Sequence, residues 1–322
     1  MVARRRLGVI GCGAVVQSIY LKALAYFPEI NLARVNDLNP DSAARVALIS
    51  GATVSSQQQI MADCEIVVIA TPPTSHAELV ESFLTEGRTV ICEKPFVGRR
   101  ADAERLARLA VEQRSKLFVA HFRRCFPSVR LARALIGSGI LGQVTELSAF
   151  EGGRFSWQAE SGYVYKDPYG GVLFDTGSHT LDTLLYVACF DTGSLEVTAV
   201  HTQRDSPEPS NDLESHVSLS RDGREIRGHF KLSRVVATAN KIRVECENGF
   251  IELPVGLTNY VRLGGSEGQA VVVHARESYS DLIDCFAMEL REMFFPDENS
   301  AFSAEKFINL TEVLESVSVS GC

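Results

Sequence analysis

A lysine, a histidine and a carboxylate are the residues of this sequence best suited to proton chemistry. Lys94 follows the apolar run Thr89–Cys92 and Glu93, and precedes Pro95. At the carboxyl end of a parallel strand such a side chain faces the crevice where open α/β sheets bind ligands. A solvated surface lysine is the alternative. Pro95 adds the possibility of a cis peptide bond that directs the lysine. Further on, GGVLFDTGSHTLDTLLY places Asp175, His179 and Asp182 at i, i+4 and i+7, one face of a helix. An imidazole there can take a proton near neutral pH, and Asp175, one turn earlier, can hold the ring or a substrate hydroxyl. Alternatively Asp175 is a helix cap and His179 a surface residue. No third ligand stands at a zinc-like spacing from this pair, so no metal is expected.

A second set of residues suits a dinucleotide. Gly8-Val-Ile-Gly11-Cys12-Gly13-Ala14-Val15-Val16 follows a strand pattern and opens a helical one. Gly11 permits the tight turn, Gly13 admits a pyrophosphate, and the helix N-terminus supplies free N–H groups. Val16 takes the third position of the motif, where a larger residue widens the approach. Asp37 closes the second strand pattern, 26 residues after Gly11 (37 − 11). A carboxylate there accepts hydrogen bonds from the adenosine ribose and repels a 2′-phosphate, which favours NAD over NADP. A plain glycine turn with a capping aspartate is the alternative.

These residues need a scaffold. Strand patterns at 6–10, 32–36, 65–70, 89–92 and 117–120 alternate with helical ones near 14–26, 40–50, 75–86 and 99–114, which implies a parallel, doubly wound sheet. A helix near 126–137, a strand at 143–150 and a helix near 175–188 follow. Strands at 195–202, 214–220, 224–233, 241–247, 250–253 and 269–274, two of their junctions marked by Asp222-Gly223 and Asn248-Gly249, imply an antiparallel sheet built by hairpins. Residues 203–212 read as an exposed loop. Helices near 280–294 and 303–318 close the chain. The expected fold is α/β: a Rossmann domain (1–120), an α+β domain with an open, mainly antiparallel sheet (121–302), and a C-terminal helix (303–322) packing back on the N-terminal domain.

Composition narrows the function. The chain has 322 residues, 45% hydrophobic and 22% charged, with a net charge of −8. That balance argues against nucleic acid, which demands clustered Lys and Arg. Eight cysteines occur without any C-x-x-C pair, as expected of small core residues in a reducing cytoplasm. Arg4-Arg5-Arg6 ahead of the apolar run 7–16 is shaped like the start of a signal peptide, but the glycines at 8, 11 and 13 weaken such a helix. With no apolar window of about 20 residues, no membrane span is expected.

The motifs together resemble the Gfo/Idh/MocA family of glucose-fructose oxidoreductase, inositol dehydrogenase and rhizopine-catabolism proteins. The resemblance is carried by GVIGCGAVV (8–16), Asp37, ATPPTSH (70–76), EKP (93–95), HFRRCFPSV (121–129), LGQV (141–144) and GGVLFDTGSHTLD (170–182). It implies an NAD(H)-dependent dehydrogenase acting on a sugar, a cyclitol or a nucleotide-sugar. Lys94, Asp175 and His179 would be catalytic, with His179 the general acid/base. Thr71, Pro72, His76 and Glu93 would line the cofactor, and Arg123 and Arg124 would lie near the nicotinamide. The second domain's sheet would make a homodimer or homotetramer. Tyr163, Tyr165 and Trp157 offer faces for a polyol ring, though packing of their own loop is an equal reading. Three positions depart from the pattern: Val16, Tyr169 in place of a first glycine, and Tyr165-Lys166 in place of Trp-Arg. A non-catalytic NAD-binding regulator and a redox-assisted glycosidase are the other functions such a chain can have.

Overall fold

The computed structural model describes residues 4–154, 162–265, 269–279 and 281–320. Six parallel strands form the first sheet: β1 (Arg5–Ile10), β2 (Ile30–Asn36), β3 (Thr53–Val54), β4 (Ile66–Ile69), β5 (Thr89–Cys92) and β6 (Leu117–Val119), in the order β3-β2-β1-β4-β5-β6. The reversal of order beside β1 is the switch point that opens a crevice at the strands' carboxyl ends. Strand β4 is fully buried at every position, the mark of a central strand covered on both faces.

Helices α1 (Leu21–Leu24), α2 (Pro40–Ser50), α3 (Gln57–Asp63), α4 (His76–Thr85) and α5 (Arg100–Glu112) flank this sheet. α2 has the bounds its sequence dictates. Asn39 caps it by accepting from the Asp41 amide at 3.0 Å, Pro40 opens it, and Gly51 closes it at φ 76°. The short α3 lacks an apolar stripe and is not expected from periodicity. It starts on a reciprocal capping box between Ser56 and Gln59.

The second domain begins with α6 (Pro127–Gly137) and β7 (Val144–Gly152). Strands β8 (Glu196–Arg204), β9 (Asp212–Arg221), β10 (Arg224–Ser233), β11 (Lys241–Cys246), β12 (Gly249–Pro254), β13 (Tyr260–Gly265) and β14 (Ala270–His274) complete an eight-stranded sheet ordered β14-β13-β12-β11-β7-β10-β9-β8. Every pairing is antiparallel except β7 with β10. Strands β9 and β10 alternate buried and accessible residues, so one face packs on helices and the other is open. Asp222 and Gly223 both take positive φ, as a tight hairpin demands. The β11–β12 turn instead uses Glu247-Asn248, with Gly249 already paired to Cys246. β13 has no sequence-based counterpart. The 203–212 loop is shorter and less exposed than expected: β8 extends to Arg204, β9 begins at Asp212, and Ser210 is buried against Gly171.

Helix α7 (Ser178–Val187) lies beneath the second sheet, and α8 (Leu282–Phe294) and α9 (Ile308–Val319) end the described chain. The last segment touches both domains. The Phe302 carbonyl accepts from the Val119 amide on β6 at 2.9 Å, and Glu315 accepts from the Arg100 amide at 2.7 Å. On the other side Arg204 of β8 donates to the carbonyls of Val317 and Ser320 at 2.7 and 2.6 Å. Seven cysteines are free, six of them buried; Cys322 lies outside the described residues.

Candidate active site

The glycine loop sits where β1 meets the switch point. Gly11 holds φ 91°, and a Cβ there would lie 2.5 Å from the Ala70 carbonyl oxygen, so the closeness of β1 to β4 requires glycine. A Cβ on Gly13 would meet nothing within 4 Å; its open side is the cradle a pyrophosphate needs. Ala14 and Val15 are half-buried beside it, and Val16, fully buried, starts a π-helical turn, Val16–Tyr20. Asp37 reaches over the loop. Its Oδ2 accepts from the Cys12 amide at 2.6 Å and its Oδ1 from the Asn39 amide at 2.7 Å. The Cys12 amide therefore serves Asp37, and its thiol, pushed up to about 12 by burial and by the Asp37 charge, is inert.

Two residues expected to line the cofactor also brace the loops around it. His76 is buried, with Nε2 2.9 Å from the Thr71 carbonyl and Nδ1 3.0 Å from the carbonyls of Pro95 and Phe96. It clasps the loop after β4 to the loop after β5, and burial lowers its basicity. Thr71 and Pro72 remain on the rim, Thr71 receiving the Ser75 hydroxyl at 2.7 Å. Glu93 turns inward and accepts from the Tyr20 hydroxyl at 2.8 Å, its carboxyl held above the ordinary range by burial.

Lys94 enters the crevice. The Lys94–Pro95 peptide is cis. Its ammonium donates to Asp175 Oδ1 at 2.6 Å and to the Asp175 carbonyl at 3.1 Å. Arg234, at the end of β10, donates to the other carboxylate oxygen at 2.5 Å. Burial raises the Asp175 carboxyl, but the two cations outweigh it and the net displacement is downward. Arg234 is a site residue that sequence reasoning missed. It lies 59 positions from Asp175, and only the β7–β10 pairing that sets the end of β10 brings it near.

His179 and Asp182 lie three apart within α7, and His121 neighbours both, its ring 5.8 Å from that of His179 and its Nδ1 3.5 Å from Asp182. Residues Val172–Gly177 are wound as a π-helix before α7 begins at Ser178, and that i→i+5 winding shifts Asp175 away from the α-helical row. The His179 ring packs edge-on to Phe122 and His121, at 5.2 and 5.8 Å between centroids. Burial, then the charges of Lys94 and Arg123, hold its imidazole well below its ordinary pKa. Asp182 is buried and accepts from Arg124 at 2.5 and 2.9 Å.

The two members of the basic pair differ in their surroundings. Arg124 is 1% exposed, bound to Asp182 and the Ala301 carbonyl, and stacked on Phe307 at 4.0 Å. It is a buried strut without access to the crevice. Arg123 forks onto Glu151 at 2.7 and 2.8 Å, and its charge acts on His179. Of the expected substrate aromatics, Tyr165 is exposed and lies 5.9 Å from the Arg234 guanidinium. Trp157 and the Tyr163 side chain lie outside the described residues. The Tyr169 ring fills the space that a Cβ on Gly98 would need. Together with Asp167, which accepts from the Thr74 hydroxyl at 2.8 Å, it ties the segment before the Gly170-Gly171 pair to the Rossmann domain.

Comparisons with known proteins agree with this architecture. Residues 5–121 match the GFO_IDH_MocA model, an oxidoreductase family NAD-binding Rossmann fold, and residues 129–252 match the GFO/IDH/MocA C-terminal domain. Inositol 2-dehydrogenase of Rhizobium meliloti is 29% identical over 60% of this chain and 58% of its own length. Rhizopine catabolism protein MocA of the same species is 28% identical over 57% of each chain. The chain thus spans a little over half the length of these curated relatives. An inositol dehydrogenase homolog from Azotobacter vinelandii, solved with NAD+, superimposes with TM-score 0.80 at 18% identity over 99% of this chain and 96% of its own. A 3-ketoreductase from Actinomadura kijaniata, solved with NADP, gives 0.71 at 20% identity over 98% and 96%. Crevice, domain pair and matched models lead to one conclusion: the chain belongs to the Gfo/Idh/MocA family.

Proposed function

We propose that the protein is an NAD(H)-dependent oxidoreductase interconverting a secondary alcohol and a ketone on a sugar, a cyclitol or a nucleotide-sugar. The observation that carries this reading is the Lys94–Asp175 pair, 2.6 Å apart and 14% and 13% exposed, at the mouth of the crevice. The residues suit the cofactor: the open side of Gly13 takes the pyrophosphate, and the Asp37 carboxylate takes the ribose. Bound there, a nicotinamide supplies the hydride acceptor or donor.

The chain's own groups handle binding and the proton. Asp175 keeps the Lys94 ammonium charged, so Lys94 donates a hydrogen bond to the substrate oxygen and favours its alkoxide form. His179, neutral at pH 7, accepts the hydroxyl proton and returns it in the reverse direction. Asp175 and Arg234 hold the lysine in place, and Tyr165 flanks the approach. Assembly through the open sheet face is part of the same reading.

Nicotinamide absorbance followed across a panel of sugars, cyclitols and nucleotide-sugars tests it. The expected result is substrate-dependent NADH production that Lys94→Ala abolishes. A protein that binds NADH yet turns over none of them, or one that releases an aglycone without net NADH change, refutes it. Cofactor choice is read separately by fluorescence titration. NADH is expected to bind at least about tenfold more tightly than NADPH, about 1.4 kcal/mol, and Asp37→Ser to narrow that gap.

A further inference from the structure

Three of the chain's seven histidines fall on one row of the open sheet. His201 of β8 pairs directly with His216 of β9, and His216 pairs directly with His229 of β10. Direct pairing puts all three on the same face. Glu214 lies two residues before His216 on β9, and so on that face as well. The ligand atoms of Glu214, His216 and His229 all lie within 4.8 Å of one another. The His216 and His229 rings stack at 4.2 Å and 12°, and His229 Nε2 is 2.8 Å from Glu214 Oε1. Phe150 packs edge-on against His229 at 5.0 Å.

We infer that Glu214, His216 and His229 form a binding site for a zinc-like divalent cation on the outer face of the second sheet. The donor set is two imidazoles and a carboxylate, which suits borderline metals; calcium and magnesium demand an all-oxygen shell. Zinc needs ligands about 2.0–2.2 Å from the metal. Directly opposed cross-strand residues have Cβ atoms about 4.5–5.5 Å apart, close enough for two imidazoles to share an ion. The stacked rings reach it by turning about χ2, a soft torsion for histidine. Three protein ligands leave a fourth position for water or for His201, the next histidine in the row.

The cluster also has a competitor. Lys231 Nζ lies 3.2 Å from Glu214 Oε2, so its ammonium and the metal contend for one carboxylate. In the absence of metal the histidine–glutamate contact and the lysine satisfy the site.

The test titrates the metal-stripped full chain with Zn2+ alone against a chromophoric chelator. One zinc per chain is expected. His216→Ala and His229→Ala are each expected to weaken it by at least the 10–100-fold or so that loss of a metal's outer-shell partner costs. Lys231→Met is expected to tighten it, because Glu214 loses its competitor. His274→Ala, elsewhere on the sheet, and His179→Ala, in the crevice, are expected to leave it unchanged. His216 is exposed, so its variant keeps the fold, which a thermal melt confirms. A wild-type chain that takes up no zinc, or a His216→Ala chain that binds as the wild type does, overturns the inference. Loss of binding in His179→Ala with none in His216→Ala moves the metal to the crevice and overturns it equally.

Discussion

Two ion-pair clusters built from similar residues lie within a few turns of each other and behave as opposites. Lys94, Asp175 and Arg234 meet at the crevice mouth, where Lys94 and Asp175 keep 14% and 13% of their side-chain surface accessible. Arg124 and Asp182 meet one helical stretch further on, each 1% exposed, with Asp191 bridging to Arg133 at 2.8 Å. Asp175 and Asp182 are seven positions apart on one continuous helical segment. Access to a ligand, not charge or spacing, separates a site able to do chemistry from a structural strut. A buried pair contributes little net stability while intact, but is costly to break.

The sharpest way to break this contrast is a pair of substitutions. Lys94→Ala is expected to lower turnover by about 10²–10³-fold, with NADH binding and the urea midpoint near wild type; steady-state kinetics and denaturation read the two effects apart. Asp182→Asn is expected to cost up to about 3–5 kcal/mol of stability, because the buried Arg124 is left with only Asp191, 3.7 Å away and shared with Arg133. Its remaining folded fraction should bind NADH normally. If Lys94→Ala unfolds the protein while Asp182→Asn silences a stable one, the two assignments are reversed.

Acid sharpens the contrast next. His121, 3.5 Å from Asp182, is lowered to about 4 by burial. Unfolded, it titrates near 6.5. Between those values the unfolded chain binds more protons, so stability is intact above about pH 6.5 and is lost as pH falls toward 4. From pH 7 to 5 the loss from His121 is about 2 kcal/mol, and His121→Asn should flatten that slope in urea titrations. Asp175 works in the same direction at lower pH, since its depressed carboxyl stabilises above its unfolded value near 3.9. The smallest effect is expected from Arg234→Lys. Keeping the charge but losing the fork should cost about tenfold in kcat/KM, some 1.4 kcal/mol, with the melting temperature little changed.

Much of the scaffold was legible because its signals are local. A continuous apolar run betrays β4, caps bracket α2, and Asp222-Gly223 marks a hairpin. α3 was missed because its signal is a capping box on a polar segment, not a stripe. The site was legible in its chemistry and less so in its geometry. The Lys94–Asp175 contact joins two motifs that the sequence already singled out. The π-helical turn that carries Asp175 into α7 is not something residue spacing reveals. The buried partners of Arg124 and His76 were not legible, because a charged or polar side chain in a motif reads alike whether it meets a ligand or a buried partner. Arg234 carried no local mark at all.

The segment from Phe302 to Ser320 is stitched to β6 and α5 on one side and to β8 on the other. A hinge between the halves would have to tear those stitches or drag the terminal helix along. The aperture above the nicotinamide site is therefore set when the chain folds, and the two halves should approach a ligand as one rigid vessel, with small-angle scattering profiles that coincide with and without NADH.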